Sequence, residues 1–168
     1  MHIIVKKPSD CSEAELQDFV ELILAGCEVT SLGLDARVRA AASLVMLTVN
    51  GCLTGIGAIK QPLPDYRKSI SEKADVALSP VAFPYELGWV FVLLSARGHK
   101  LSQFVVKEAL SSITGAGIFA TSRSDNLPMH RSLERFGFVR LGRVYTSDRG
   151  NHQLQLFALP SAQQGSIG

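Results

Sequence analysis

The segment Glu86-Leu87-Gly88-Trp89-Val90-Phe91-Val92-Leu93-Leu94-Ser95-Ala96-Arg97-Gly98-His99-Lys100-Leu101-Ser102 decides the fold. From Leu87 to Leu94 the apolar residues come without alternation, which is the pattern of a strand buried on both faces. A helical pattern follows almost at once, with Leu101, Phe104, Val105, Glu108 and Leu110 ahead of Gly115 and Gly117. A strand that runs into a helix sets the helix N-terminus at its end. Unpaired N–H groups and about half a positive charge make that terminus a ready anion site. Gly98 permits close backbone approach, and Arg97 and Lys100 add charge, so the turn suits a pyrophosphate. It is neither a Walker A loop nor G-x-G-x-x-G, because the second glycine and the Lys-Ser/Thr ending are missing. Strand–glycine–helix turns are also common as plain structure, so the rest of the chain has to discriminate.

Upstream, Ile3–Val5 reads as a short strand. Ser12 and Glu15 form a capping box, followed by Leu16, Phe19, Val20, Ile23 and Leu24 at helical spacing and by Gly26 as a stop. Asp35 starts a second short helix through Ala42. Asn50-Gly51 between two apolar runs is a strong hairpin signal, so Leu44–Val49 and Cys52–Lys60 should pair antiparallel, with Gly55 and Gly57 bending the second strand. Residues 61–84, with Pro62, Pro64, Pro80 and Pro84 around a polar middle, read as a long connection with one helical turn. Downstream, Ile118–Thr121 is a strand. Asn126-Leu127-Pro128 opens a helix that Phe136-Gly137-Phe138 closes. Phe138–Tyr145 and His152–Leu159 are the last two strands. The order β-α-α-β-β-β-α-β-α-β-β without an internal repeat predicts an α/β (α+β) domain, a mixed sheet flanked by helices. One domain is expected over 1–160, with 161–168 as a flexible tail.

Composition narrows the class. The 168 residues are 46% hydrophobic and 19% charged, which is ordinary for a globular chain. Apolar stretches such as Ala40–Val49 fall short of the roughly 20 residues that span a bilayer, so no membrane partner is expected. Met1–Lys7 has no cleavage-site pattern, and a cytoplasmic location is expected. Cys11, Cys27 and Cys52 are an odd number without a C-x-x-C pair, and the four histidines lack ligand spacing, so neither disulfides nor a metal are expected. Residues 1–96 carry 8 Lys/Arg against 11 Asp/Glu, a charge of −3; residues 97–168 carry 9 against 4, a charge of +5. An anionic ligand would be drawn to the C-terminal part.

With these residues in view, the chain resembles the GNAT superfamily of acyl-CoA-dependent N-acetyltransferases. Its pyrophosphate loop reads Gln/Arg-x-x-Gly-x-Gly/Ala after the fourth strand, and Arg97-Gly98 falls at the family's Arg-Gly pair. Asn126, Met129 and Leu133-Glu134-Arg135-Phe136-Gly137-Phe138 resemble the family's second block, an asparagine, a helix and a terminal Gly-Phe. The two blocks cover roughly residues 84–142. The resemblance implies a mixed, mostly antiparallel sheet of six to seven strands with about four helices, and acetyl-CoA as co-substrate. There are departures. Lys100 stands where the family usually has glycine, Ser102 where it has Gly or Ala, and Leu94 replaces a common proline. Leu133 stands where many members carry a tyrosine that protonates the departing thiolate.

By resemblance, backbone amides of Val92, Leu93 and Leu94 would hold the thioester and pantetheine. The pyrophosphate would lie on Arg97, Gly98, His99, Lys100, Leu101 and Ser102, with Asn126 and Met129 near the pantetheine arm. Glu86 is the candidate general base, and otherwise a strand-end carboxylate facing solvent. His130 and Tyr145 are candidate acids in place of the missing tyrosine, and otherwise a surface histidine and a cross-strand packing residue. Serine-nucleophile chemistry has no support around Ser122 or Ser132. The expected reaction is direct acetyl transfer in a ternary complex to a primary amine on a small molecule or peptide. Acceptor contacts are expected from Leu32–Arg39 and Gln61–Pro84, including Tyr66, Arg67 and Lys68. A degenerate acyl-CoA-binding sensor is the alternative. Nucleic acid is disfavoured, since no aromatic-studded basic strand or reading helix is present. A homodimer is compatible with the family.

Overall fold

A computed structural model describes residues 1–26 and 29–162. Cys27 and the expected tail beyond residue 162 lie outside the described residues. The chain forms two compact units, Met1–Lys60 with Leu87–Thr114, and Gln61–Glu86 with Gly115 onward.

The first unit carries β1 (His2–Lys6), α1 (Glu13–Gly26), α2 (Leu34–Arg39), β2 (Ser43–Val49), β3 (Cys52–Lys60) and α4 (Leu101–Ser111), with strand order β1-β2-β3-β4. Most of β4 (Tyr85–Val92) belongs to it. The capping box of α1 closes both ways. The Ser12 amide donates to Glu15 Oε2 at 2.8 Å, and the Glu15 amide donates to Ser12 Oγ at 3.2 Å. Asn50 (φ 51°) and Gly51 (φ 80°) both take the left-handed region that a tight two-residue hairpin needs. β2 and β3 pair antiparallel from Val49↔Cys52 onward, with a register shift at Leu47/Thr48 that leaves Thr54 as the extra residue of a bulge. Phe19, Ile23, Leu34, Val38, Leu44 and Ile56 are at most 1% exposed and form the core, with Trp89 edge-on to Phe19 at 6.4 Å. Gly57 lets α4 lie close on β3, because a Cβ there would meet Val105 Cγ1 at 2.5 Å.

The second unit holds α3 (Pro64–Ala74), β5 (Ile118–Arg123), α5 (Leu127–Arg135), β6 (Val139–Thr146) and β7 (Gln153–Leu159), with strand order β5-β7-β6 and antiparallel pairing throughout. Its core gathers Ile70, Ala74, Leu78, Phe119, Tyr145 and Leu156.

The mixed α/β character and the predominantly antiparallel strands agree with the sequence expectation. Two elements differ. The segment 61–84 holds the three-turn helix α3 rather than a single turn, which makes five α-helices among the described residues instead of about four. Pro64 at its first position, Asp65 in the first turn and Lys73 in the last favour the helix. Its inner face is the i, i+3, i+4 set Arg67, Ile70, Ala74, so a charged residue occupies a buried position and blurs the apolar period. The strand expected to be buried on both faces from Leu87 to Leu94 instead ends at Val92. Leu94, 74% exposed, begins a 3-10 turn, Leu94–Ala96. Among the described residues no helix is long and apolar enough to cross a membrane.

Candidate active site

In the first unit the end of β4 is shaped by backbone irregularities. Trp89 holds φ +52°, a conformation that costs a bulky L-residue about 1–2 kcal/mol and persists only where surrounding structure enforces it. The enforcement is visible, since the indole is 7% exposed in the core and Lys60 Nζ lies 5.0 Å over its ring. Past Val92 the chain leaves the strand. The Leu93 amide donates to Thr54 O, the carbonyl exposed by the β3 bulge, at 2.9 Å, and Leu93 O accepts from the Ala96 amide at 2.9 Å. Leu93 therefore spends its main chain within the protein. Its amide, which the sequence reading offers to a thioester, is thus bonded within the protein.

The turn into α4 then runs through two left-handed residues, Gly98 (φ 89°) and Lys100 (φ 57°). Lys100 is the N-cap of α4, and no side chain caps the helix. Residues 97–100 are exposed. The first-turn amides at Leu101 and Ser102 are thus presented at a bare helix N-terminus. Arg97 is anchored by its Nε donating to Val92 O at 3.3 Å and by its guanidinium 5.8 Å over Phe91, while His99 Nδ1 lies 3.4 Å from Ala96 O. The position where the family usually has glycine does demand φ > 0, and here a lysine meets the demand under strain. Lys100→Gly is accordingly expected to be more stable than Lys100→Ala by about 1 kcal/mol in urea unfolding. Equal midpoints would show that the turn relaxes freely.

In the second unit the proton-handling candidates part company. Glu86 is only 3% exposed, so the solvent-facing reading fails. Its Oε1 accepts from the Tyr66 hydroxyl at 2.9 Å. Burial, then the Glu86 charge, pushes the Tyr66 phenol well above its ordinary pKa, with an opposing hydrogen bond involving Thr121. Tyr145 is 7% exposed, its hydroxyl has no hydrogen-bond partner among the described residues, and burial followed by the Glu86 charge raises its pKa as well. Glu86, Tyr66 and Tyr145 form one cluster around a single carboxylate. Tyr66 was placed by sequence among acceptor-loop residues. Its contact spans 20 positions, and only its location one residue inside a Pro-Asp helix start could have hinted at it.

His130 belongs elsewhere. It is 2% exposed rather than on the surface, its ring lies 4.8 Å from Phe157, and its Nε2 is 2.8 Å from Arg123 O. A carbonyl only accepts, so Nε2 is the donor of this bond, and the buried Nδ1 has no partner among the described residues. Leu133, 1% exposed, is core. Asn126 caps α5 as expected, its Oδ1 accepting from the Met129 amide at 3.2 Å; Asn126 is exposed and Met129 half-buried.

Escherichia coli ElaA superposes with a TM-score of 0.70 at 17% identity, over 94% of this chain and 99% of that one. An acyl-CoA N-acyltransferase from Pseudomonas aeruginosa gives 0.66 at 15% identity, over 94% and 97%. Salmonella typhimurium yncA, a putative acetyltransferase determined with its cofactor acetyl-CoA, gives 0.59 at 15%, over 95% and 94%. An acetyltransferase of the GNAT family from Streptococcus pneumoniae gives 0.64 at 12%, over 96% and 100%. The chain has the GNAT fold. No protein-family profile matches the sequence, and no curated protein matches it by sequence.

Proposed function

We propose that this chain is an acetyl-CoA-dependent N-acetyltransferase that transfers its acyl group directly to a primary amine. The observation that carries the reading is the uncapped N-terminus of α4, presented by the left-handed pair Gly98 and Lys100, in a chain with the GNAT fold. Acetyl-CoA would supply the activated thioester. Leu101 and Ser102 amides, with Arg97 and Lys100, would neutralise its pyrophosphate. Val92 and Leu94 would offer backbone groups to the pantetheine arm, with Asn126 and Met129 in support.

Glu86 would accept the proton that the amine loses. Its burial makes a relay through a hydroxyl or an ordered water the reasonable route, and Tyr145 has the unused hydroxyl. Because Tyr145 holds its proton more firmly than a free phenol, it is better suited to orient a reacting group by hydrogen bonding than to protonate a thiolate.

The test is thermal unfolding with acetyl-CoA, coenzyme A and ATP. At 100 times its dissociation constant a ligand adds about 2.7 kcal/mol, which is several degrees for a domain of this size. A shift with both CoA species and little with ATP is expected. No shift at millimolar acetyl-CoA would remove the proposal.

A further inference from the structure

We propose that Tyr66 and Arg67, consecutive residues of α3, are positioning residues for Glu86, the first holding its carboxylate and the second the backbone that leads to it. The inference rests on the acetyltransferase reading and on Glu86 as its base.

Consecutive helix residues point about 100° apart, so one turn of α3 serves two different neighbours. The Tyr66 hydroxyl donates to Glu86 Oε1 at 2.9 Å, and it also bonds to the Thr121 side chain of β5. One phenol thus ties the carboxylate to a helix and a strand of the same unit. Arg67, 8% exposed, works on the main chain instead. Its Nη1 donates to Phe83 O at 2.7 Å and to Leu78 O at 3.5 Å, and its Nη2 donates to Pro84 O at 3.3 Å. Pro84 stands two residues before Glu86. Phe119 of β5 lies 5.3 Å from the guanidinium carbon and supports its plane.

Ser71, one turn further along α3, fastens the other end of the same segment. Its Oγ donates to Val76 O at 2.5 Å and accepts from the Leu78 amide at 3.0 Å. The return from α3 to β4 is therefore bonded to α3 near both ends, and it delivers Glu86 to one place.

Packing alone does not account for an arginine here. Ile70 and Ala74 share its face of the helix, and an apolar side chain would continue that face without the cost of burying a charge. What the guanidinium provides is a rigid, planar set of donors that reaches three carbonyls at once. Burial works against its charge, and the Glu86 charge offsets part of that effect. The use of such rigidity lies in the chemistry. A general base has to sit within hydrogen-bond reach of the proton it takes, and a misplacement of about 1 Å costs about a hundredfold in rate.

The experiment measures thiol release from acetyl-CoA with phenethylamine, putrescine and trialanine, and follows the fastest of these amines. Tyr66→Phe removes one hydroxyl, and Arg67→Lys keeps the charge without the fork. Each is expected to lower kcat about ten- to a hundredfold, with coenzyme A binding and the KM of the amine within about threefold of native. Made on top of Glu86→Gln, the same replacements should change the residual rate by less than about threefold, because the group they position no longer takes the proton. A purely structural role would cost the same in both backgrounds. Should Arg67→Lys not fold, Tyr66→Phe decides alone. A native rate in either folded variant, or a loss that persists undiminished beside Glu86→Gln, overturns the inference and leaves the base intact. A nearly native rate in Glu86→Gln by itself strikes the base. A protein that binds coenzyme A but acetylates none of the three amines strikes the acetyltransferase reading.

Discussion

Replacing Glu86 by glutamine is expected to slow acetyl transfer by about 10²- to 10⁴-fold, the usual contribution of a positioned general base, while leaving coenzyme A binding unchanged. The substitution is nearly isosteric, and the glutamine carbonyl can still accept from the Tyr66 hydroxyl, so the cluster should keep its shape. What it removes is the capacity to hold an extra proton. An amine must lose a proton to become a stable amide, and near neutral pH most primary amines already carry one proton too many. With the carboxylate gone, the enzyme depends on the small fraction of amine deprotonated in solution. The residual rate should then climb about tenfold per pH unit up to the amine's own pKa, a slope that the native enzyme would not share. Initial rates of thiol release from pH 6 to 10, on both proteins, measure this. A fall of less than about threefold would mean that Glu86 is structural, and a chain that merely sensed acyl-CoA would have no rate to lose.

Much of the architecture could be read from short-range chemistry. The capping box Ser12/Glu15, the Asn50-Gly51 turn and the Asn126 cap are satisfied by neighbours within three residues, so the sequence carries the whole interaction. The turn from β4 into α4 was legible for the same reason, with left-handed residues at Gly98 and Lys100. Features set by partners far along the chain were not. Nothing near Trp89 announces a left-handed tryptophan; its conformation follows from the core that grips the indole.

α3 was understated because Arg67 fills an inward position, and an arginine reads as a surface residue until the carbonyls of Leu78, Phe83 and Pro84 are known to receive it. The His130 and Glu86 errors share one cause. Polar residues are presumed exposed, and only tertiary structure shows that Arg123 O satisfies one and Tyr66 the other. Tertiary partners thus decided the proton-handling half of the candidate site, whereas local chemistry decided the anion-binding half.

The same cluster should make the protein unusually sensitive to alkali. Tyr66 and Tyr145 both have phenols raised above the ordinary value of 10.0, by burial first and by the Glu86 charge second. The sign follows from where the protons sit. Below about pH 10 each tyrosine is neutral in both folded and unfolded chains, and its contribution is fully present. Above that, the unfolded chain releases these protons while the folded chain keeps them, so stability falls as pH rises toward the folded values. Each tyrosine adds a slope approaching 1.4 kcal/mol per pH unit, so the pair should cost about 3 kcal/mol by pH 11 relative to pH 9. Lys6, raised chiefly by its hydrogen bond to Glu15, loses its contribution in the same direction, so the absolute slope is not diagnostic. The difference between proteins is. Tyr66→Phe and Tyr145→Phe should each flatten the alkaline limb of urea-unfolding free energies by up to about 1.4 kcal/mol per unit, additively only if the sites do not couple. At neutral pH the two should diverge. Tyr66→Phe takes a donor from a buried carboxylate and should destabilise by about 1–3 kcal/mol, whereas Tyr145→Phe deletes a hydroxyl that has no partner among the described residues and should be neutral or stabilising. Superimposable limbs for wild type and both variants would mean that these phenols ionise as freely in the fold as outside it. In that case neither lies in the desolvated, carboxylate-facing pocket that a proton-transferring Glu86 requires.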